Sequence, residues 1–356
     1  MELYAAVLAG GTGTRFWPAS TARVPKQFLP LTGTSPMLRV SVDRLLPIVP
    51  PERICVVTSA ATRDDVLTVL PELPPENVLG EPRGRNTAAA CALAAHWAAR
   101  LTRRGDEGRT VLLTTPADHF VDPAEAFREV LTSAAERALT GTLMTLGLRP
   151  TYAATGYGWI ELGPEVATSA GHAVHRVESF VEKPDVARAE RYLAGGRHLW
   201  NLGLFAWRPQ AFLDALARHL PVTARLLAEA TTDGALDAAY AAIPSISVDH
   251  AVLEKHDAVE CVPCSFTWDD LGSFAAAARH LPADAAGNTS IGPVVALDSK
   301  GCVAWAEPGH MTALLGVEDL IVVHAHGVTL VAPKARAEEV RRLVEALGPA
   351  GLERFR

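Results

Sequence analysis

The sequence has no cluster of basic residues, and its 40 acidic residues outnumber its 33 lysines and arginines, giving a net charge of −7. Proteins that bind nucleic acids concentrate positive charge on one surface, so no nucleic-acid partner is predicted. No apolar run approaches the ~18 residues of a membrane-spanning helix. The N-terminus, Met1–Tyr4, lacks the basic residues that open a secretory signal. These features predict a cytoplasmic protein with no membrane partner.

Cysteine is also sparse, with five residues in a chain of 356. An odd number of cysteines in a long chain favours free thiols and a reducing compartment. Cys261 and Cys264 have the spacing of half a zinc site, but their flanks predict a strand. Residues three apart on a strand lie about 10 Å apart and face opposite sides, so the pair cannot share a metal ion. No second Cys-x-x-Cys pair is present to complete a zinc site.

Lysine is the rarest charged residue, with five lysines against twenty-eight arginines. A sequence with this bias is expected to keep lysine where a compact ammonium is required, for example beside a phosphate. Two of the five, Lys26 and Lys183, lie in the motifs described below.

Short apolar runs alternate with amphipathic segments through most of the chain. Strands are predicted at Leu3–Ala9, Ile54–Val57, Val111–Leu113 and Leu143–Leu146, and helices at Met37–Leu46, Thr87–Leu101 and Pro123–Leu139. This alternation is typical of an α/β fold with a doubly wound, mixed, mostly parallel sheet of the Rossmann-like kind. From Asn288 onward, glycines separate short β-rich pieces, and a closing helix follows Pro333. The sequence predicts a catalytic domain over residues 1–285 and a small β-rich domain with a terminal helix over residues 286–356.

Ligands of such sheets bind beyond the carboxyl ends of the strands. Two segments that directly follow predicted strands, Gly10–Arg15 and Pro116–His119, are therefore expected at this edge. The glycine-rich segment could present backbone N–H groups to phosphate oxygens. It is neither a P-loop nor a dinucleotide-binding fingerprint, and on its glycines alone a tight strand-to-helix turn is an equal interpretation.

The continuation of this segment favours the phosphate interpretation. The runs Arg15-Phe16-Trp17-Pro18 and Pro25-Lys26-Gln27-Phe28 resemble the N-terminal signature of nucleotide-sugar pyrophosphorylases, and of the mannose-1-phosphate guanylyltransferase family in particular. The resemblance implies that Arg15 and Lys26 hold the triphosphate and stabilise charge as pyrophosphate leaves. It also implies a nucleotide-binding set comprising Leu8, Gly10, Gly11, Gly13, Thr14, Arg15, Glu81, Asn86, Thr87, Pro116 and Asp118.

The segment Glu81–Ala88 resembles the guanine-side motif of this family. A carboxylate at Glu81 can accept hydrogen bonds from both N1–H and the exocyclic amine of guanine, which adenine cannot offer. Asn86 and Thr87 would lie nearby, although either could instead cap the helix that follows. A helix N-terminus also favours phosphate, so both roles are compatible.

Two carboxylates are implied as ligands of Mg²⁺. Asp118 lies in Pro116–His119, and Asp270 in the run Trp268–Ser273, which resembles the second metal motif of the family. Two carboxylates from distant parts of a sequence, beside phosphates, are typical of a magnesium site. Arg15, Lys26, Asp118 and Asp270 form the predicted catalytic set.

The middle of the chain carries motifs that resemble the sugar-binding side of the family. Gly156, Tyr157, Glu182, Lys183 and Asn201 are implied to bind the hexose and its phosphate. Without the family context, Glu-Lys-Pro at 182–184 reads as a polar turn. A further family-like segment, Ser247–Glu254, contains Asp249, for which helix capping is an equally good interpretation.

The resemblance covers residues 3–275 and implies an enzyme that converts GTP and mannose 1-phosphate into GDP-mannose and pyrophosphate, with Mg²⁺ as cofactor and a homodimer as its assembly. The sequence departs from the pattern of this family at three positions, none of which is a proposed ligand: Thr21, Leu202 and Asp269. Two alternatives remain open: a related hexose-1-phosphate nucleotidyltransferase, for example one forming GDP-glucose, and a non-catalytic GDP-mannose-binding subunit. His324 and His326 are predicted to point the same way on one strand, as a pair of metal ligands would. Without a third ligand nearby, they are interpreted as surface or partly buried histidines.

Overall fold

The computed structural model of the chain describes residues 1–11 and 13–356. The strands, in chain order, are β1 (Glu2–Ala9), β2 (Ile54–Ser59), β3 (Val78–Glu81), β4 (Thr110–Pro116), β5 (Phe120–Asp122), β6 (Leu143–Leu148), β7 (Gly158–Ser169), β8 (His172–Glu182), β9 (His198–Trp207), β10 (Val259–Cys264), β11 (Thr267–Asp269), β12 (Thr289–Ile291), β13 (Val294–Leu297), β14 (Val303–Ala306), β15 (Thr312–Leu315), β16 (Leu320–Ala325) and β17 (Val328–Pro333). The helices are α1 (Met37–Leu45), α2 (Arg63–Val69), α3 (Asn86–Leu101), α4 (Ala124–Ala138), α5 (Val186–Gly195), α6 (Pro209–His219), α7 (Pro221–Glu229), α8 (Asp233–Ala242), α9 (Phe274–Ala278) and α10 (Val340–Leu347).

The chain divides into two compact units. The first comprises Met1–Gly10, Val42–Ala117 and Val121–Trp268. The second comprises Gly11–Ser41, Asp118–Phe120 and Asp269–Arg356. This division follows packing rather than chain order, and the domain boundary between residues 285 and 286 stays a prediction.

The first unit contains a nine-stranded sheet with the order β3-β2-β1-β4-β9-β6-β10-β8-β7. The pairs β1–β2, β1–β4, β2–β3 and β6–β10 are parallel. The pairs that involve β8 or β9 are antiparallel. Seven of the nine strands therefore run in one direction, with β8 and β9 opposite to them, and the predicted mixed, mostly parallel sheet is confirmed.

Strand β1 shows why this sheet is covered on both faces. Successive residues of a strand point to opposite faces, and Ala5, Ala6 and Val7 are all fully buried. Unbroken apolar strands of this kind require helices on both sides of the sheet. On one side, Tyr4 and Ala6 join a core cluster with Trp97 of α3 and the buried residues of α6.

The second unit is built mainly from short parallel strands. One four-stranded sheet has the order β12-β14-β16-β17 and a two-stranded sheet pairs β13 with β15. Within these two sheets the pair β16–β17 is antiparallel and the other strand pairs are parallel. Its core joins Phe16 and Trp17 of the N-terminal segment to Phe274, Trp305 and residues of α10. The N-terminal segment 11–41 belongs to this unit because its large apolar side chains are buried in this core.

The cysteines match the sequence expectation of free thiols. All five cysteines are buried free thiols, and Cys261 and Cys264 both lie on β10. Over residues 1–11 and 13–356, we find no helix with the length and apolarity needed to cross a bilayer.

Candidate active site

Several residues predicted to bind the nucleotide lie in the first unit, at the carboxyl ends of neighbouring strands. Leu8 pairs with Pro116 across β1 and β4, and its carbonyl accepts a hydrogen bond of 2.9 Å from Ala117 N. Gly10 follows β1 and Glu81 ends β3, and a Cβ added to Gly10 would lie 3.4 Å from Glu81 Oε2. The structure therefore brings Gly10 and Glu81 together, as the sequence predicts. Thr12 of the predicted loop lies outside the described residues.

Glu81 is a buried carboxyl group, with 6% of its surface exposed. Tyr240 of α8 donates its hydroxyl hydrogen bond to Glu81 Oε1 at 3.1 Å. Burial raises the pKa of Glu81 to about 7, although the hydrogen bond from Tyr240 acts in the opposite direction. The group therefore changes charge near neutral pH, where a partner that donates two hydrogen bonds would favour its ionised form.

The helix start that follows Glu81 is anchored to a distant segment. Asn86 has a φ of 65°, and its Oδ1 accepts from the N–H of Thr87 at 2.8 Å. Thr87 Oγ1 instead accepts from the N–H of Val248 at 2.9 Å. The side chain of Thr87 thus ties the predicted guanine-side motif to the segment Ser247–Glu254, in addition to standing at a helix N-terminus.

Asn201, one of the residues predicted to bind the sugar, is 8% exposed. Its Oδ1 accepts from Thr145 Oγ1 at 2.9 Å, and its Nδ2 donates to Asp249 Oδ1 at 3.0 Å. Burial raises the pKa of Asp249 to about 6, and the nearby charge of Glu182 adds to the rise. The carboxyl group of Asp249 thus orients Asn201 rather than serving only a helix end.

Glu182 and Lys183 form an adjacent charged pair, with 2.6 Å between Lys183 Nζ and Glu182 Oε1. Lys183 has a φ of 49°, an uncommon conformation for a residue with a side chain, and its N–H donates to Tyr157 O at 3.2 Å. Glu254 Oε1 accepts from the N–H of Glu182 at 3.0 Å. Strained backbone persists only where the surrounding structure holds it in place, and such residues cluster at functional sites.

Tyr157, which contacts Lys183, also packs against two tryptophan rings. Its ring lies edge-on to Trp200, with centroids 5.2 Å apart, and to Trp268, with centroids 5.1 Å apart. Gly156 is exposed next to it. The structure therefore gathers Tyr157, Glu182 and Lys183 through direct contacts, and the segment Ser247–Glu254 joins them to Asn201 through Glu254 and Asp249.

The predicted catalytic residues of the second unit include Lys26, which contacts two of the others. Its Nζ lies 2.7 Å from Asp118 Oδ2 and 2.7 Å from the backbone oxygen of Asp270, and Lys26 is 6% exposed. Burial raises the pKa of Asp118, but the charges of Lys26 and His119, together with hydrogen bonds from Lys26 and from the backbone, outweigh it, so the pKa lies below its ordinary value. Asp118 is therefore held ionised beside a buried ammonium, and three of the four predicted catalytic residues are brought together.

Arg15 makes a different contact. Its guanidinium is paired with Glu338 in the segment before α10, and an added Cβ at Gly272 would lie 3.1 Å from Arg15 Nη1. Thr14 and Gly11 are exposed on the same loop. The sequence motifs give no indication of Glu338, since it lies outside the region that resembles the family.

Gly13 allows us to test whether the loop geometry matters. Its φ is +63°, and a Cβ there would lie 2.4 Å from Lys26 Cβ and 3.0 Å from Ser20 Oγ. We expect Gly13→Ala to lower kcat/KM at least about tenfold, because the added atom displaces Lys26 and the αL conformation costs about 1–2 kcal/mol. Steady-state kinetics with thermal denaturation checks this. Gly33→Ala is the control, since Gly33 lies outside the loop and a Cβ there meets no atom of the described residues within 4 Å; equal activities of the two variants would contradict the prediction.

Asp269 positions its neighbour Asp270. Its Oδ2 accepts from Arg279 Nη2 at 2.6 Å and from His280 Nε2 at 2.9 Å, and its Oδ1 accepts from Leu271 N at 2.9 Å. From the sequence alone, Asp269 is recognised only as a departure from the family pattern. The three bonds show that it fixes the turn that carries Asp270.

Asp270 is predicted to bind Mg²⁺, and losing an outer partner of a metal ligand usually costs roughly 10–100-fold, so we expect Asp269→Ala to lower kcat/KM by that range. The metal concentration for half-maximal activity should rise with it, which a purely structural effect would not produce. Asp269→Asn keeps an oxygen for the N–H of Leu271 and should recover part of the loss. A fall in activity for both variants without any change in metal dependence would refute the positioning role.

Comparison with known proteins agrees with this geometry. The family model described as nucleotidyl transferase matches residues 4–285, and the one described as MannoseP isomerase/GMP-like beta-helix domain matches residues 292–347. The fold and the site define a nucleotidyltransferase, and the chain belongs to the nucleotidyl transferase family. The predicted family, fold class and enzyme class are thereby confirmed.

Individual relatives of known name are similar to most of this chain. The chain is 38% identical to the xanthan biosynthesis protein XanB of Xanthomonas campestris pv. campestris, over 97% of this chain and 73% of the relative. It is 36% identical to the mannose-1-phosphate guanylyltransferase of Klebsiella pneumoniae, over 96% of this chain and 73% of the relative. The crystal structure of mannose-1-phosphate geranyltransferase from Thermus thermophilus superposes with a TM-score of 0.86 at 40% identity, covering 98% of this chain and 100% of that one.

Proposed function

We propose that this protein transfers GMP from GTP to α-D-mannose 1-phosphate and releases pyrophosphate. A phosphate oxygen of mannose 1-phosphate forms a bond to the α-phosphorus of GTP. The bond from that phosphorus to the oxygen bridging it to the β-phosphorus breaks, and pyrophosphate leaves with the electron pair. No proton has to be removed, because the attacking phosphate oxygen is already ionised.

The observation that carries the proposal is the buried ammonium of Lys26 between Asp118 and Asp270. Phosphoryl transfer depends on positioned cations more than on covalent help, and a fixed charge in a site of low dielectric stabilises the leaving pyrophosphate. The Arg15 guanidinium supplies a second cation, released from Glu338 when phosphate binds. Both features support a transferase over a protein that only binds its product.

The choice of guanine rests on Glu81. Its carboxylate is buried, and the hydrogen bond from Tyr240 orients it. In this position it would accept hydrogen bonds from N1–H and from the exocyclic amine of guanine. The choice of hexose rests on Asn201, Glu182 and Lys183, whose amide, carboxylate and ammonium suit sugar hydroxyls and a phosphate. These residues bind and orient the two substrates, and none of them needs to exchange a proton in the reaction.

Asp118 and Asp270 fit a divalent cation. Both offer carboxylate oxygens, the ligands that Mg²⁺ prefers, and the neighbouring charge of Lys26 keeps Asp118 ionised. When bound there, Mg²⁺ would neutralise charge on the α-phosphate. Asp118 and Asp270 would supply one or two of its ligands, leaving the rest to phosphate and water.

Pyrophosphate release is the assay for this proposal. GTP, ATP, UTP and dTTP are each combined with mannose 1-phosphate and with glucose 1-phosphate in the presence of Mg²⁺. We expect release with GTP and mannose 1-phosphate. Preferential release with glucose 1-phosphate would replace the sugar assignment with a GDP-glucose-forming enzyme, and GDP-mannose binding without release would identify a non-catalytic binding subunit.

We also propose a homodimer, supported by an exposed apolar strip on paired strands of the second unit. Leu297 of β13 and Leu315 of β15 pair in register and are 59% and 71% exposed. Exposed apolar patches of this kind are typical of protein interfaces. Light scattering of the full chain tests the assembly. The cytoplasmic location stays a prediction.

A further inference from the structure

The second unit carries a group of metal-ligating side chains far in sequence from the catalytic motifs. His324 lies on β16, but His326 follows the end of that strand with a φ of 51°. The prediction that the two share one strand is therefore wrong. So is the expectation that no third ligand lies nearby, because Glu307 and His310 lie beside His324.

A tight turn brings Glu307 and His310 together. His310 N donates to Glu307 O at 3.2 Å, with Pro308 and Gly309 between them, and Gly309 has a φ of 90°. Proline followed by a glycine of positive φ is the signature of a type II turn. The turn continues directly from β14, and Glu307 N donates to His324 O at 3.2 Å. Backbone hydrogen bonds thus fix all three residues relative to one another.

The side chains converge as well. The potential ligand atoms of Glu307, His310 and His324 lie within 4.8 Å of one another. The rings of His310 and His324 have centroids 4.3 Å apart. His326 Nδ1 lies 3.9 Å from Glu307 Oε2, so a third imidazole borders the same carboxylate. Small side-chain rotations would bring these atoms to the spacing of a metal site with bonds of about 2.0–2.1 Å.

An outer partner orients one of the imidazoles. His324 Nδ1 is 2.9 Å from the hydroxyl of Thr329 on the neighbouring strand β17. Histidine ligands of metals commonly use one ring nitrogen for such a hydrogen bond, which fixes the ring and leaves the other nitrogen for the metal. His324 Nε2 is the nitrogen left for this purpose. His310 is half exposed, so an ion can reach the group from solvent.

We propose that Glu307, His310 and His324 bind one Zn²⁺ ion, with His326 or water as the fourth ligand. Two or three imidazoles and one carboxylate are a typical zinc set, whereas Mg²⁺ prefers oxygen ligands alone. The site differs in ligand chemistry from Asp118 and Asp270. A bound ion would fasten the turn after β14 to the ends of β16 and β17.

The test uses Co²⁺ as a spectroscopic substitute for Zn²⁺ on the full chain, with Mg²⁺ in excess to occupy oxygen-only sites. We expect one Co²⁺ per chain with the intense visible absorption of a four-coordinate ion, displaced by stoichiometric Zn²⁺. His310→Ala and His324→Ala should each weaken Zn²⁺ binding by more than the roughly 10–100-fold that an outer partner costs, and Thr329→Val by about that range.

His172→Ala is the control, because His172 lies at the start of β8, outside the group, and its loss should leave the affinity unchanged. Circular dichroism confirms that the variants fold, which the exposure of His310 favours. Absence of the Co²⁺ spectrum, or equal Zn²⁺ affinity in wild type, His310→Ala and His324→Ala, would overturn the proposal. Pyrophosphate release is measured separately, so failure of the zinc site and failure of the proposed transferase are distinguishable.

Discussion

Lys26→Met is expected to lower kcat/KM at least about 10²–10³-fold, the cost of removing one preorganised group that stabilises a developing charge. Methionine retains most of the volume of the buried side chain but removes the ammonium that lies 2.7 Å from Asp118 Oδ2. Arginine is no substitute, since its planar guanidinium replaces a point charge that is enclosed at 8% side-chain exposure. Pyrophosphate release with GTP and mannose 1-phosphate measures the loss.

Loss of stability must be separated from loss of chemistry in this variant. Asp118 would remain without its partner, but its side chain is 31% exposed, so the cost should stay below the roughly 3–5 kcal/mol of a fully buried broken pair. The double variant Lys26→Met/Asp118→Asn removes both charges and should recover the melting temperature without recovering activity. Near-wild-type turnover in folded Lys26→Met would exclude Lys26 from the mechanism.

The affinity for GTP is expected to fall about tenfold for each pH unit below 7, because one proton must leave Glu81 before it can accept hydrogen bonds from guanine. Burial raises the pKa of Glu81 to about 7 in the free protein. A raised pKa means that the ionised form dominates above that pH and is lost as the pH falls through it, so binding is strongest above pH 7. Titration calorimetry with GTP between pH 5.5 and 8.5 measures this slope.

The phosphates of GTP also titrate, so the control is Glu81→Gln measured over the same range. The variant should bind GTP more weakly at pH 8 and lack the part of the slope that Glu81 contributes. Tyr240→Phe removes the hydrogen bond that lowers the pKa of Glu81, so its inflection should move to higher pH. Identical slopes for wild type and Glu81→Gln would remove Glu81 from base recognition.

Much of the fold could be predicted because local signals and tertiary structure agree. Short apolar runs flanked by loop-forming residues predicted the strands β1, β2, β4 and β6. The predicted helix Thr87–Leu101 differs from α3 by one residue. The long hairpin of β7 and β8 was harder to predict from the sequence. Many of its residues are partly exposed polar side chains, so no unbroken apolar run marks it.

The candidate site was predictable where a residue lies in a recognisable motif and not where it acts through another residue. Glu81, Lys26 and Asn201 carried a chemical signal in the sequence. Tyr240 and Thr145 did not, because their roles come from single hydrogen bonds across 159 and 56 residues of sequence. The prediction for the histidine group was wrong for a related reason. Strand register and one turn bring Glu307, His310 and His324 together, and the periodicity of side chains in the sequence reports neither.

The segment Ser247–Glu254 has a thermodynamic consequence. Val248 is hydrogen-bonded to Thr87 of the predicted guanine-side motif, while Asp249 and Glu254 are hydrogen-bonded to Asn201 and Glu182, which are predicted to bind the sugar. Any ligand that restricts this backbone at one end reduces the conformational entropy left to lose at the other. The two substrates would then bind with positive cooperativity, and linkage requires that each raise the affinity of the other by the same factor.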